Sequence, residues 1–212
     1  MDKSVNKNIS SDEIMQFFND NGLTEEMNKT KSDIIRRIEI LGERITEHTG
    51  HPSIDHIVSR VKSPESIIRK LKKKKRDVTR QNAISTLHDI VGIRAVCPFQ
   101  DDVFFLAREI RDNIGYPVIN YKDFVSSPKS SGYRSIHIIL ECPSESGNKF
   151  YAEVQVRSVA MNYWAILEHL LCYKNEDKRV KEFHEQLKRH AEEIADIDRK
   201  LYKLRRKIEK LK

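Results

Sequence analysis

F-Y-A-E-V-Q-V-R, residues 150–157, alternates with a period of two: Phe150, Ala152, Val154 and Val156 fall on one face, and Glu153, Gln155 and Arg157 on the other. The apolar face needs a core beneath it. An all-polar face amid apolar sequence is costly unless it looks into a site or lies half-exposed in an antiparallel sheet. Working outward, 90–97 (I-V-G-I-R-A-V-C) reads as a buried strand with one arginine inside it, and 118–124 and 135–141 alternate as strands do. Between them, 101–113 sets Val103, Leu106, Ala107 and Ile110 on one side and stops before Gly115, a helix with a glycine end. Residues 160–173 read as a helix, and 177–212 as one long helix with a mixed-charge surface. Upstream, 11–49 reads helical: Ser11 precedes Ile14, Phe17 and Phe18, and Ile34, Ile35, Ile38 and Leu41 recur at helical spacing. His51–Pro52 breaks that pattern, and Ser63 before Pro64 can cap a further helix running into the lysines of 70–76. The sum is an α/β to α+β chain: a mixed sheet of about four or five strands flanked by helices, with helical extensions at both ends.

With 212 residues and 24.9 kDa, the chain can bury a substantial core without disulfides or structural metals. Hydrophobic residues make up 38% and charged residues 33%, and no unbroken apolar run exceeds five residues, which excludes a helical membrane protein. The polar opening M-D-K-S-V-N-K-N-I-S-S-D-E has no apolar core of a secretory signal. Cys97, Cys142 and Cys172 are odd in number and widely spaced, as reduced thiols of the cytoplasm are. The net charge of +7 is localised. Residues 60–80 carry ten basic and two acidic side chains, and 178–212 carry thirteen and seven. The first segment points to a phosphate-bearing partner; the second reads as a solvated helix surface.

The seven glycines are scattered, so no Gly-rich phosphate loop can be written, and nucleotide phosphates would have to be held by side-chain cations. His88–Asp89 lacks the upstream ligands of a metal phosphohydrolase. Four clusters remain. In 60–73, Ser66, Lys70 and Lys73 share a helical face, and Arg60 and Lys62 share a side if extended. That row suits a polyphosphate, or equally a basic surface that meets RNA. In 89–94 an acid opens a buried strand that contains Arg94, and each buried charge needs a partner, a metal or a ligand. In 129–137, Gly132 permits a turn that leaves Tyr133 exposed, where a ring can stack on a base or simply pack at a hairpin rim. The fourth is the polar face Glu153, Gln155 and Arg157. Together they supply carboxylates for Mg²⁺, cations for phosphates and an aromatic for a base, the inventory of phosphoryl or pyrophosphoryl transfer between nucleotides.

R-V-K-S-P-E-S (60–66), D-I-V-G-I-R (89–94), P-K-x-x-G-Y-R-S-I-H (128–137), E-V-Q-V-R (153–157) and A-M-N-Y-W-A (160–165) occur in an order that resembles the synthetase domain of RelA/SpoT-like enzymes. With only short helical extensions, the chain is similar to the single-domain small alarmone synthetases. The resemblance implies a nucleotidyltransferase-like synthetase fold over 45–175, an N-terminal helical extension at 1–44 and an oligomerising basic helix at 176–212. It implies Mg²⁺-dependent transfer of the β,γ-pyrophosphate of ATP to the 3′-hydroxyl of GDP or GTP, in the cytoplasm, by a homotetramer. Carried over by motif, Asp89 and Glu153 would be the catalytic and metal-binding acids. Arg60 and Arg94 would sandwich adenine, Lys62, Ser66, Lys70 and Lys73 would hold the ATP phosphates, and Gln155 would position the ATP side. Tyr133 would stack on guanine with Asn162 near its edge, while Lys122, Lys129 and His137 would meet the acceptor's 5′-phosphates. Ile136 stands where the family commonly has leucine and Lys73 where arginine is frequent; apolarity and charge are preserved. Two rivals are a toxin-type relative acting on tRNA 3′ ends or making adenosine alarmones, and a non-catalytic RNA-binding module.

Overall fold

The computed structural model describes residues 21–144, 149–172 and 183–211. Its elements are α1 (Asn21–Thr49), β1 (His56–Val61), α2 (Pro64–Lys73), α3 (Arg80–Thr86), β2 (Val91–Cys97), α4 (Gln100–Asn113), β3 (Val118–Asp123), β4 (Ile136–Pro143), β5 (Lys149–Ser158), α5 (Val159–Cys172) and α6 (His184–Glu209). The expected helical residues Ser11, Ile14, Phe17 and Phe18, and the start expected for the last helix at 177–182, lie outside the described residues.

Five strands form one sheet in the order β1-β2-β5-β4-β3. Only the β2–β5 pair is parallel; the others are antiparallel. The mixed sheet expected from the alternation is therefore present. β5 buries Phe150, Ala152, Val154 and Val156 and leaves Glu153 and Gln155 partly open, as the period of two requires. On the buried face the sheet meets α4, whose Val103, Leu106, Ala107 and Ile110 are fully buried, and α1, whose Met27, Ile34 and Ile38 are too. Truncating Ile34 or Ile38 to alanine would cost about 2–5 kcal/mol each by the cavity left behind. α1 continues unbroken through residue 44 and shares this core. Gly115, at φ +79°, turns the chain out of α4 in a conformation that a side chain disfavours.

β1 and α3 stand where the sequence reading places no element. β1 is an edge strand whose residues are exposed or half-buried, so its sequence H-I-V-S-R-V carries no alternation to read. α3 spans seven residues, too short for a periodic signal. Ser63 does cap α2, its side chain accepting from the Ser66 amide.

The long helix α6 packs back on its own chain. Ala191, Ala195 and Asp198 are buried, the Trp164 indole donates to the Leu187 carbonyl at 3.0 Å, and the Ser158 hydroxyl donates to Asp198 at 2.5 Å. Arg205 reaches Asp101 and Asp102 at the start of α4 and His51 just past the end of α1. Ile197, Leu201, Leu204 and Ile208 remain about half exposed at successive spacings of four, three and four, and the last three line a cavity with Arg205, His51 and Phe99.

Candidate active site

Strand register, rather than sequence proximity, assembles the polar face. Across the sheet, Arg60 of β1 lies beside Gly92 of β2, which lies beside Glu153 of β5, which lies beside Ile139 of β4. The next row runs Val58, Arg94, Gln155, His137 and Lys122. Two cavities open on this face and meet at Asp89 and Glu153, which line both. One, of about 260 Å³, is bounded by β1, β2 and β5 and lined by Val58, Ser59, Arg60, Gly92, Ile93, Arg94 and Gln155. The other, of about 350 Å³, is lined by Lys70, Lys74, Thr86, His88, Asn120, Lys122, Phe124, Lys129, His137 and Ile139.

The two shared carboxylates are held differently. The ammonium groups of Lys62 and Lys70 both donate to Asp89 Oδ2, at 2.9 and 2.5 Å, while Asp89 Oδ1 is buried without a hydrogen-bond partner. Burial pushes this carboxyl toward protonation, but the hydrogen bonds from Lys70 and Lys62 outweigh it and hold the group below its ordinary pKa. Glu153 accepts from His137 Nδ1 at 2.9 Å on Oε1 and from Gln155 Nε2 at 2.7 Å on Oε2. Burial again pushes upward, the hydrogen bonds from His137 and Gln155 pull downward, and the balance is a lowered pKa. Both acids are therefore ionised at neutral pH. A buried carboxylate oxygen with no protein partner beside a second carboxylate is a donor set that fits an oxygen-preferring divalent cation.

The expected residues divide between the two cavities. Arg60, Arg94 and Gln155 line the smaller one. Lys70, Lys122, Lys129 and His137 line the larger, and Lys70 reaches Asp89 at the junction of the two. Lys62 sits beneath Asp89. Ser66 lies in the first turn of α2, its hydroxyl accepting from Ser63 at 3.2 Å, and it lines neither cavity. Lys73 is exposed at the far end of α2 and lines neither. Asn162 is buried and accepts from Arg94 Nη1 at 3.3 Å, behind the smaller cavity. Burial, reinforced by the nearby Arg157 charge, lowers the Arg94 pKa.

Tyr133 departs from the expected exposure. It is half-buried beside Trp164, Ala165 and Ala191, with Lys129 Nζ 4.8 Å and the Arg157 guanidinium 4.9 Å from its ring centroid. The cause is Gly132. At φ +87° it turns the chain, and its missing Cβ lets α6 approach: a Cβ there would stand 2.5 Å from that of Ala191. Lys74, Thr86, His88, Asn120 and Phe124 were not read from the sequence as site residues. Asn120 had a signal, lying two residues from Lys122 on one strand; Phe124, 4.7 Å from Lys129 Nζ, had none before folding.

Residues 59–178 match the family described as "Region found in RelA / SpoT proteins". The chain is 33% identical over 176 residues to the GTP pyrophosphokinase YwaC of Bacillus subtilis, covering 82% of this chain and 84% of that protein. Its fold is similar to the crystal structure of small alarmone synthetase 2 from Bacillus subtilis, with a TM-score of 0.73 and 30% identity over 90% of this chain and 98% of that one. It is also similar to small alarmone synthetase 1 from the same organism bound to its product pppGpp, with a TM-score of 0.69 and 28% identity over 82% of this chain and 90% of that one.

Proposed function

The chain belongs to the RelA/SpoT family, and on that premise we propose that it is a GTP pyrophosphokinase, transferring the β,γ-pyrophosphate of ATP to the 3′-hydroxyl of GDP or GTP to give AMP and the guanosine alarmone (p)ppGpp. One observation supports this most directly: two cavities, each able to take part of a nucleotide, share a wall made of two ionised carboxylates. In-line transfer needs a donor and an acceptor meeting at one point, with charge neutralised there.

ATP occupies the smaller cavity, its adenine between the Arg60 and Arg94 guanidiniums, which stack on flat rings as ammonium groups cannot. Gly92 leaves the space for it, and Asn162 orients Arg94 from behind. The acceptor occupies the larger cavity, its 5′-phosphates among Lys122, Lys129 and His137, with Phe124 at the guanine end and the Tyr133 ring, outside the lining itself, 6.4 Å from that of Phe124. Lys62 and Lys70 bring positive charge to the transferred pyrophosphate; Ser66 and Lys73 extend that row along α2. Asp89, through Oδ1, and Glu153 would hold Mg²⁺, which supplies further charge neutralisation on the phosphates when bound. Glu153 accepts the hydrogen bond of the attacking 3′-hydroxyl and takes its proton. A carboxylate with a lowered pKa is a weak base, so most of the rate comes from alignment and charge.

The exposed α6 positions Ile197, Leu201, Leu204 and Ile208 support self-association, for which the family resemblance implies a homotetramer, and the cationic α6 surface is compatible with RNA. Among the described residues no helix is long and apolar enough to cross a membrane, consistent with a cytoplasmic enzyme. The test is thin-layer chromatography with γ-labelled ATP, Mg²⁺ and unlabelled GDP. A labelled guanosine tetraphosphate formed with equal AMP is expected. Label in tRNA instead would make the chain a tRNA-modifying toxin, and label in neither acceptor would leave a binding module.

A further inference from the structure

Five side chains on the β4–β5 face form a closed loop of hydrogen bonds. Arg157 Nη2 donates to the Tyr133 hydroxyl at 2.5 Å and to Gln155 Oε1 at 2.7 Å. The Tyr133 hydroxyl lies 2.8 Å from His137 Nε2, His137 Nδ1 lies 2.9 Å from Glu153 Oε1, and Gln155 Nε2 donates to Glu153 Oε2 at 2.7 Å. The donor inventory fixes both ends of this loop. A guanidinium only donates, and an ionised carboxylate only accepts. Arg157 is therefore the source of both arms and Glu153 the end of both.

Along one arm, Arg157 turns the Gln155 amide so that its oxygen faces the guanidinium and its NH₂ faces Glu153. Along the other, Arg157 donates to the Tyr133 oxygen, which leaves the Tyr133 proton free to run to His137 Nε2. With Nε2 accepting, the ring carries its proton on Nδ1 and donates it to Glu153. The two hydrogens of a single nitrogen thus set both bonds that hold the carboxylate. Arg157 is only 4% exposed, lines neither cavity and cannot itself touch a nucleotide there.

We infer that Arg157 is a positioning residue that orients the Glu153 carboxylate through two arms, Gln155 on one side and Tyr133 with His137 on the other. This rests on the pyrophosphoryl-transfer reading of the site. It also gives the Tyr133 hydroxyl a task separate from any stacking by its ring.

Two-bond ¹H–¹⁵N spectra of the histidine rings test it, with His137 identified by the signals lost in His137→Gln. In the wild-type protein, His137 is expected to be protonated on Nδ1 and bare on Nε2. Arg157→Met should mix the two tautomers and lower kcat about 100-fold, with KM for both nucleotides within about twofold of the original. An Nε2–H tautomer in the wild type would overturn the inference, as would a raised KM at unchanged kcat. Should Arg157→Met fail to fold, Tyr133→Phe removes one hydroxyl and keeps the ring. It should loosen the tautomer preference and lower kcat about tenfold at constant acceptor KM; no change in either would refute the second arm. A wild-type protein that holds the Nδ1–H tautomer yet makes no nucleotide product refutes the enzymatic reading and leaves the Arg157 assignment standing.

Discussion

The two cavities differ in the kind of cation they present. The smaller one offers guanidiniums, Arg60 and Arg94, above a floor that Gly92 keeps bare. The larger offers ammonium groups, Lys70, Lys74, Lys122 and Lys129, with Phe124 and His137 among them. Planar guanidiniums suit the face of a base, whereas compact ammonium groups suit phosphate oxygens. The contrast continues in the shared wall. Asp89 has one oxygen held by two lysines and one buried oxygen left open, whereas Glu153 has a hydrogen bond on each oxygen. Asp89 is poised to take a cation, and Glu153 is poised to keep a fixed direction.

The largest expected effects fall on that wall. Asp89→Asn should lower kcat roughly a thousandfold while leaving the fold intact, because it removes the charge both cavities share. Wild-type turnover by this variant would take Asp89 off the site. Glu153→Gln should cost roughly a few-hundredfold in kcat, since its amide NH₂ must face a donor, either His137 or Gln155. A loss confined to KM would break the distinction drawn between the two acids.

Smaller effects should separate the cavities. A Cβ at Gly92 meets nothing of the protein closer than 3.9 Å, so Gly92→Ala should fold normally but crowd the smaller cavity. KM for ATP should then rise about tenfold with KM for GDP unchanged. Lys122→Met should do the reverse, raising KM for GDP about fivefold, the weight of one exposed charge. A shift in the opposite substrate for either variant would exchange the two assignments.

The smallest effect is on stability. Asp89 has a folded pKa below its ordinary value of 3.8, so its ion pairs stabilise the protein above that pH and cease to as pH falls through the lower folded value. Urea unfolding of wild-type and Asp89→Asn protein should therefore show a gap at pH 7 that narrows below pH 4. A gap independent of pH would mean that Lys62 and Lys70 contribute nothing through charge.

Much of this was legible before folding. β3, β4 and β5 announce themselves by alternation, and β2 by a short apolar run that marks a buried strand. The Ser63 cap and the Gly115 stop are local backbone requirements, so they too can be read directly. β1 could not be, because an exposed edge strand has no face to conceal. Among the site residues, Arg60, Arg94, Asp89, Glu153, Gln155, Lys122, Lys129 and His137 follow from motif and strand face, and all line a cavity. Phe124 and Lys74 do not, since their places depend on loops and a helix end brought in from elsewhere.

Sequence alone determined which side chains share a strand face, that the candidate site offers side-chain cations and carboxylates in place of a glycine-rich loop, and that these motifs stand in the family's order. Tertiary structure alone decided who stands beside whom. It placed Gln155 between Arg94 and His137, turned Lys62 and Lys70 onto the same oxygen of Asp89, and closed the loop from Arg157 to Glu153. The physical reason is that facing is a period-two property of one strand, fixed within a few residues. Lateral neighbours depend on the register between strands far apart in the chain, and that register is set only when the buried faces of the sheet lock together.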